Sequence, residues 1–155
     1  MSATDLDRTT SRTLTPLGMR GVDLGLLLAR LGLGVVMFVH GWQKVVTNGL
    51  GATTDGFRGM GAPLPEVSAV FASFVELIGG ALLIAGIGVR IVGVLMVVDM
   101  VGAIFIVHAE NGFFATNGGY EFVLMLAVVA GALALTGGGR YSVDRLINAG
   151  RRARA

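Results

Sequence analysis

Cysteine is absent from the 155 residues. That excludes disulfides, thiolate metal sites and any thiol relay within the chain, and with them a membrane oxidoreductase working through its own CxxC pair. Charge is scarce as well: 14% of residues carry one, against about 25% in a soluble globular domain. The alternating ten-residue segments of a membrane β-barrel are missing, and so are heptads and any long internal repeat. Basic residues do not cover a face. The net charge is +2 and the pI about 9.7, and most arginines stand near the two ends, which argues against a nucleic-acid binder.

Apolar surface is what the chain has in excess, at 54% of residues. This length allows one domain, and one small core could not bury so much. A bilayer would solvate it instead. Four runs approach the roughly 20 apolar residues of a spanning helix: about Val22 to Val46, Val67 to Gly88, Ile91 to Ala109 and Tyr120 to Thr136. Each is apolar all round, as in helices surrounded by lipid or by one another. The expectation is an all-α integral membrane protein. An antiparallel four-helix bundle would occupy residues 21–139, between a cytoplasmic segment 1–20 and a basic amphipathic tail 140–155. The first run is too long for a cleaved leader and lacks a small-residue cleavage site, so it reads as an uncleaved signal anchor.

With four spans, Arg8, Arg12, Arg20, Arg90, Arg140, Arg145, Arg151, Arg152 and Arg154 fall on one side, and Lys44 and Arg58 on the other. That positive-inside bias predicts a multi-pass protein of the inner (plasma) membrane with both termini cytoplasmic. Gly88-Val89-Arg90 is so short a link that spans two and three must be antiparallel neighbours. Residues 47–66 carry five glycines, Pro63 and Pro65, with Phe57, Met60 and Leu64 among them. They read first as a flexible surface loop and second as a lid folded on the bundle mouth. Phe113 and Phe114 read as interfacial anchors. Gly137-Gly138-Gly139 stops the last span. Ser142 then stands ready to cap a short helix that sets Val143, Leu146 and Ile147 against Asp144 and Arg145, lying on the anionic inner leaflet. Gly32, Gly34, Gly41, Gly79, Gly80, Gly86, Gly93, Gly102 and Gly131 predict close helix packing inside the bundle rather than a dimer face.

A charge at mid-bilayer costs about 2.5–3.5 kcal/mol on insertion scales. Arg30, Glu76 and Asp99 lie in the first three runs, each roughly 12–15 Å from a helix end at 1.5 Å per residue. They are expected to form one buried cluster, either a structural ion network or a proton path or ligand site. His40 and Lys44, His108 and Glu110, and Glu121 mark the outer ends. His40 and His108 are each about 27 Å along their helices and could face each other. Ordinary interfacial histidines are the favoured reading. Bis-His haem ligation is disfavoured, because no other feature signals haem. A zinc-type site of His40, His108 and Glu121 lacks a ligand spacing of its own. Lys44 and Glu121 read as an outer-face ion pair. The candidate binding residues are thus Arg30, His40, Lys44, Glu76, Asp99, His108 and Glu121, with no catalytic residue and no metal site assigned.

Several stretches together resemble the DoxX family of small four-helix membrane proteins. They are Arg30-Leu31-Gly32-Leu33-Gly34 through Phe38-Val39-His40-Gly41 to Lys44, then Phe57 to Pro65, Glu76-Leu77-Ile78-Gly79-Gly80, Tyr120-Glu121, and Gly139-Arg140-Tyr141-Ser142-Val143-Asp144. The resemblance runs from about Leu24 to Leu146. It implies association with quinone-linked oxidation and membership of an oxidoreductase complex, with protein partners on the cytoplasmic side. If that chemistry handles sulfur, the reactive thiol belongs to a partner.

Three functions compete at this level. In the first, the chain is a membrane subunit of a redox complex with a quinone or similar small redox molecule among its helices. His40, Glu121 or the Glu76 and Asp99 carboxylates would then exchange protons. In the second it is a non-enzymatic anchor or assembly factor that recruits a cytoplasmic enzyme through its basic tail, and the buried charges serve structural specificity. In the third it is a small transporter or proton-conducting module, for which midplane charges and a glycine-rich outer loop speak. Against it, four spans without an inverted repeat are few for a monomeric carrier; a homo-oligomer is one assembly open to it.

Overall fold

The computed structural model describes residues 16–152, and among them it is all-helical, with no strand. Helix α1 (Pro16–Trp42) continues through a wide π-helical turn, Gln43–Thr47. A short helix α2 (Leu50–Gly59) leads to α3 (Pro65–Ala85). Helix α4 (Val89–Ala103) runs on through a π-helical turn, Ile104–His108, and a tight turn, Ala109–Asn111. Helices α5 (Glu121–Thr136) and α6 (Val143–Arg152) complete the order. Gly18–Thr47, Pro65–Ala85 and Val89–Asn111, of 30, 21 and 23 residues, are long and apolar enough to cross a bilayer. Helix α5 is equally apolar but has 16 residues, about 24 Å of rise against a hydrocarbon layer of about 30 Å. Residues 1–15 and 153–155, with the arginines expected there at 8, 12 and 154, lie outside the described residues.

Helices α1 and α3 run antiparallel with their backbones almost touching. A Cβ on Gly41 would collide with the backbone of Glu76 and Leu77, and one on Gly80 would meet the Phe38 nitrogen at 2.5 Å. Gly93 stands in the same way against Ala130 and Ala134 and brings α4 onto α5. Small residues make such approaches open to helices that gain little from burial within lipid. The expected packing role therefore holds for Gly34, Gly41, Gly79, Gly80 and Gly93. It fails for Gly32 and Gly102, where a Cβ meets nothing within 4 Å. The dry core sits between the helices, on Leu33, Met37, Leu83, Met96 and Leu133.

The stretch 47–66 is not the flexible loop that was the first expectation. It folds into α2, which lies on α3. Helix α2 is too short to persist alone, and local bonds hold it. Thr53 is buried and donates from Oγ1 to the Lys44 carbonyl at 2.9 Å. Arg58 donates to Asp55 at 2.5 Å and to Glu66 at 2.6 Å, tying α2 to the start of α3. These two carboxylates hold the Arg58 guanidinium above its ordinary range.

At the opposite end the chain closes on itself. Gly86 ends α3 in the left-handed region at φ 78°, where a side chain would be strained. A Cβ there would also strike the Arg30 guanidinium. Asp144 accepts from the Gly88 and Val89 nitrogens at 2.8 and 3.0 Å, capping α4 from 55 residues away in sequence. The Asp144 nitrogen donates to the Gly86 carbonyl at 3.0 Å, and the Arg140 nitrogen to Asp23 at 2.9 Å. Ser142 Oγ accepts from the Arg145 nitrogen at 3.4 Å, the expected cap of α6, although Asp144 serves α4 rather than a polar face of α6.

Gly80→Leu is expected to lower stability in thermal unfolding of the detergent-solubilised protein by about 1–3 kcal/mol or more, because backbone has to move. Gly32→Ala, with open space around it, should leave the melting temperature unchanged or raised.

Candidate functional site

The α1–α3 register decides which charges meet. Gly34 lies against Gly80 and Ile84, Gly41 against Glu76 and Leu77, and Arg30 against Gly86. Arg30 is therefore level with the end of α3, and Glu76 is ten residues away along it, about 15 Å. The expected cluster of Arg30, Glu76 and Asp99 does not form. The reason is that α1 overruns the end of α3, so Arg30 stands level with Gly86, and distance from the start of the apolar run did not measure depth in the bundle. Arg30 is 2% exposed. Its Nη2 donates to the Tyr141 carbonyl at 3.0 Å, while Nε and Nη1 have no hydrogen-bond partner. Asp144 stands near enough to offset its charge. Arg30 thus belongs to the clasp that holds residues 139–144 under the bundle.

Glu76 has another partner. Lys44 Nζ donates to Glu76 Oε2 at 2.5 Å, with the carboxylate the more buried of the two side chains. The pairing expected between Lys44 and Glu121 is absent. Glu121 turns instead to the loop before α5, where its Oε1 accepts from the Ala115 nitrogen at 2.7 Å. That loop is further bound by Tyr120 nitrogen to Gly112 carbonyl and Glu121 nitrogen to Phe113 carbonyl, at 3.1 and 2.9 Å. Phe113 meets both Phe114 and Tyr120 edge-on, with ring centres 5.5 Å apart. The zinc-type trio of His40, His108 and Glu121 is accordingly not assembled. Among the described residues no group of three His, Asp or Glu side chains could hold a metal.

Five of the seven expected residues do converge. His40 and Lys44 from α1, Glu76 from α3, Asp99 from α4 and His108 from the turn that follows α4 all line one cavity of about 700 Å³. Most other lining is apolar, including Met37, Phe57, Met60, Phe71 and Phe122. Phe57 and Met60 come from α2 and its end, so the stretch 47–66 does act as a cover, the second of its two expected readings. A cavity of this size with apolar walls and a few convergent polar groups has the build of a small-molecule site.

Among the described residues, two of these lining polar groups keep an acceptor atom without a protein partner. His108 Nδ1 lies 2.6 Å from the Gly118 carbonyl. A carbonyl only accepts, so the proton sits on Nδ1, and a neutral ring keeps its lone pair on Nε2. Asp99 is buried, and its Oδ2 has no hydrogen-bond partner. A buried carboxylate oxygen left without a partner is costly, and a hydroxyl brought by a ligand would satisfy it. Glu76, Lys44 and Asp99 also interact electrostatically. The sequence reading missed Met37, Ser68, Phe71 and Phe122. The signal for Met37 was present, since 37, 40 and 44 share one helical face.

A protein-family comparison joins this geometry to known chains. The DoxX family model matches residues 25–109. The chain belongs to the DoxX family. A Bacillus subtilis (strain 168) protein named "Putative oxidoreductase CatD" is 35% identical over 133 residues, which are 86% of this chain and 94% of that one. Two Escherichia coli (strain K12) chains are also similar. The inner membrane protein YphA is 28% identical over 125 residues, covering 77% of this chain and 88% of its own. The inner membrane protein YqjF is 29% identical over 131 residues, covering 81% and 94%. No solved structure gives a significant match. This DoxX protein is a membrane protein with apolar helices, and the DoxX match contains Arg30, His40, Lys44, Glu76, Asp99 and His108.

Lys44→Met should destabilise the detergent-solubilised protein by about 3 kcal/mol, because it leaves a buried carboxylate uncompensated. Adding Glu76→Leu in the same chain should recover most of that loss in the same thermal unfolding measurement. Equal stability of the single variant and the parent would show that the pair is not buried enough to matter.

Proposed function

We propose that this DoxX protein is the membrane subunit of a redox complex and holds a quinone-type ring in the cavity between α1, α3, α4 and α5. The carrying observation is the convergence of His40, Lys44, Glu76, Asp99 and His108 on one apolar cavity of about 700 Å³. The residues present suit such a ring. Phe57, Phe71 and Phe122 offer flat apolar contact, Lys44 offers a charged donor, and Asp99 Oδ2 and His108 Nε2 offer acceptors. Bound there, the ring would supply two-electron redox chemistry. The protein's part is to orient the ring, exclude water and exchange protons with its oxygens. Asp99 and His108 are the groups for that exchange, since Glu76 is engaged by Lys44. The name of the Bacillus subtilis relative supports an oxidoreductase setting.

In the same reading α1, α3, α4 and α5 span the inner membrane as a four-helix bundle over residues 21–139, with both termini cytoplasmic. The arginine distribution supports that orientation. Arg30 and Glu121 are not ligand contacts in this proposal. The first secures the clasp, and the second secures the loop that carries His108 through Gly118. Electrons reach the ring through a partner subunit.

Protein purified in mild detergent is expected to release quinone into organic extracts, at near one equivalent. Asp99→Asn and His108→Ala should each weaken rebinding of an added benzoquinol, the reduced form whose hydroxyls can donate to these acceptors, by about tenfold, the loss of one hydrogen bond to a buried partner. A quinone-free preparation that also fails to bind added benzoquinol would remove the proposal.

A further inference from the structure

The cavity is not closed on all sides, and the place where it opens says what kind of molecule it takes. Helices α3 and α4 touch on the side of the link that joins them, where a Cβ on Gly79 would come within 3.1 Å of both Met96 and Val92. Farther toward α2, Gly102 of α4 packs against nothing, since a Cβ there meets nothing within 4 Å. Val67 and Phe71 of α3, one turn apart, line the cavity there. So do Val98 and Gly102 of α4, also one turn apart. Yet Val67 is 63%, Phe71 37% and Val98 55% exposed. A side chain that lines a cavity and is open on the outside stands at its rim.

The rim is therefore a slot between two adjacent apolar helices, bordered by two valines, a phenylalanine and a glycine. Both helices are long and apolar enough to cross a bilayer, so the slot faces acyl chains rather than water. The end that would face water is lined by other elements and is itself only partly covered, with Met60 41% exposed. Phe57 and Met60 of the α2 region and Gly118 and Gly119 of the loop before α5 form the wall there. Asp99 follows Val98 directly, and its unpartnered Oδ2 is among the first polar groups a ring would meet on passing the rim.

We propose that the ligand enters sideways from the bilayer between α3 and α4, and that it is a ring carrying a long apolar chain, which stays in this slot. The inference rests on the reading of the cavity as a ring site and narrows it to membrane-resident molecules. A water-soluble ring would have no use for an apolar opening at this depth. An alkyl or isoprenoid chain needs one, because a polar head held among His108, Asp99 and Lys44 must leave its chain somewhere apolar. Gly102 keeps the passage open by having no side chain, which explains a glycine that packs against nothing.

The test compares a decyl-tailed benzoquinol with a tail-less methylated benzoquinol, kept reduced, on the full chain in lipid nanodiscs. Gly102→Phe fills the slot, and Val98→Trp narrows it from a position already exposed. Both variants are expected to weaken the tailed probe by at least about tenfold, the worth of roughly two buried methylenes. The tail-less probe should still bind both within about twofold, which also reports that the polar site is intact. Unchanged binding of the tailed probe in both variants would overturn the slot while leaving the ring site standing. Equal weakening of both probes would place the ring rather than the chain at Gly102 and overturn it as well. If neither probe binds the parent protein, the ring site itself is wrong and the slot goes with it.

Discussion

The approach of α1 to α3 is the constraint from which the rest of the molecule follows. Gly41 and Gly80 let one backbone rest on the other, and any side chain at either position would force them apart. This contact sets the register of the pair. It brings Lys44 to Glu76 at one level and Arg30 to Gly86 at the other. Two ionic features of opposite purpose are thereby separated by about ten residues of helix. In lipid, where burial itself adds little to helix association, such backbone contact is one of the few means of holding a register firmly.

The two ends of the bundle are built on different principles. One end is a clasp of backbone and side-chain bonds. Arg30, Asp23 and Asp144 hold residues 139–144 across the helix ends, and Asp144 completes the start of α4. Even so, Arg30 Nε and Nη1 have no hydrogen-bond partner there. The other end is hollow, and its polar groups too are only partly satisfied among themselves. Lys44 and Glu76 compensate each other, whereas Asp99 Oδ2 has no partner. Natural proteins keep an unsatisfied buried group where function uses it more often than elsewhere. The clasp also ties α3 to α4 through Gly86, Gly88 and Asp144 where the two helices are joined.

Sequence motifs that carry the family resemblance divide along the same line. Gly139 to Asp144 and Arg30 belong to the clasp. His40 to Lys44, Phe57 to Met60 and Glu76 belong to the cavity. Tyr120 and Glu121 belong to neither, but stiffen the loop whose Gly118 carbonyl fixes the His108 ring. A motif spread along the chain thus encodes one tie, one cavity and one support, and only the cavity has the chemistry of a ligand site.

Composition and run length by themselves determined the all-helical character, the apolar segments and the short link at Gly88, since these depend on local hydropathy and on glycine at a sharp turn. They also marked Glu76 and Asp99 as costly buried charges needing partners, and His40, Lys44 and His108 as candidate binding residues at the outer helix ends. Which partner each one has was decided by tertiary structure alone. Lys44 reads in sequence as a partner of Glu121 yet meets Glu76, and Arg30 reads as a partner of two carboxylates it never meets. Counting along one helix gives depth in the bundle only if its register with the neighbouring helices is known, and α1 overruns the end of α3 by the whole stretch before Arg30. Helix α2 was hidden for a related reason. A ten-residue segment with three glycines has little intrinsic preference to be helical, and becomes so because α3 offers a surface and Lys44 a carbonyl. The cavity and its slot are likewise properties of how far apart helices stand, a quantity that no single segment contains.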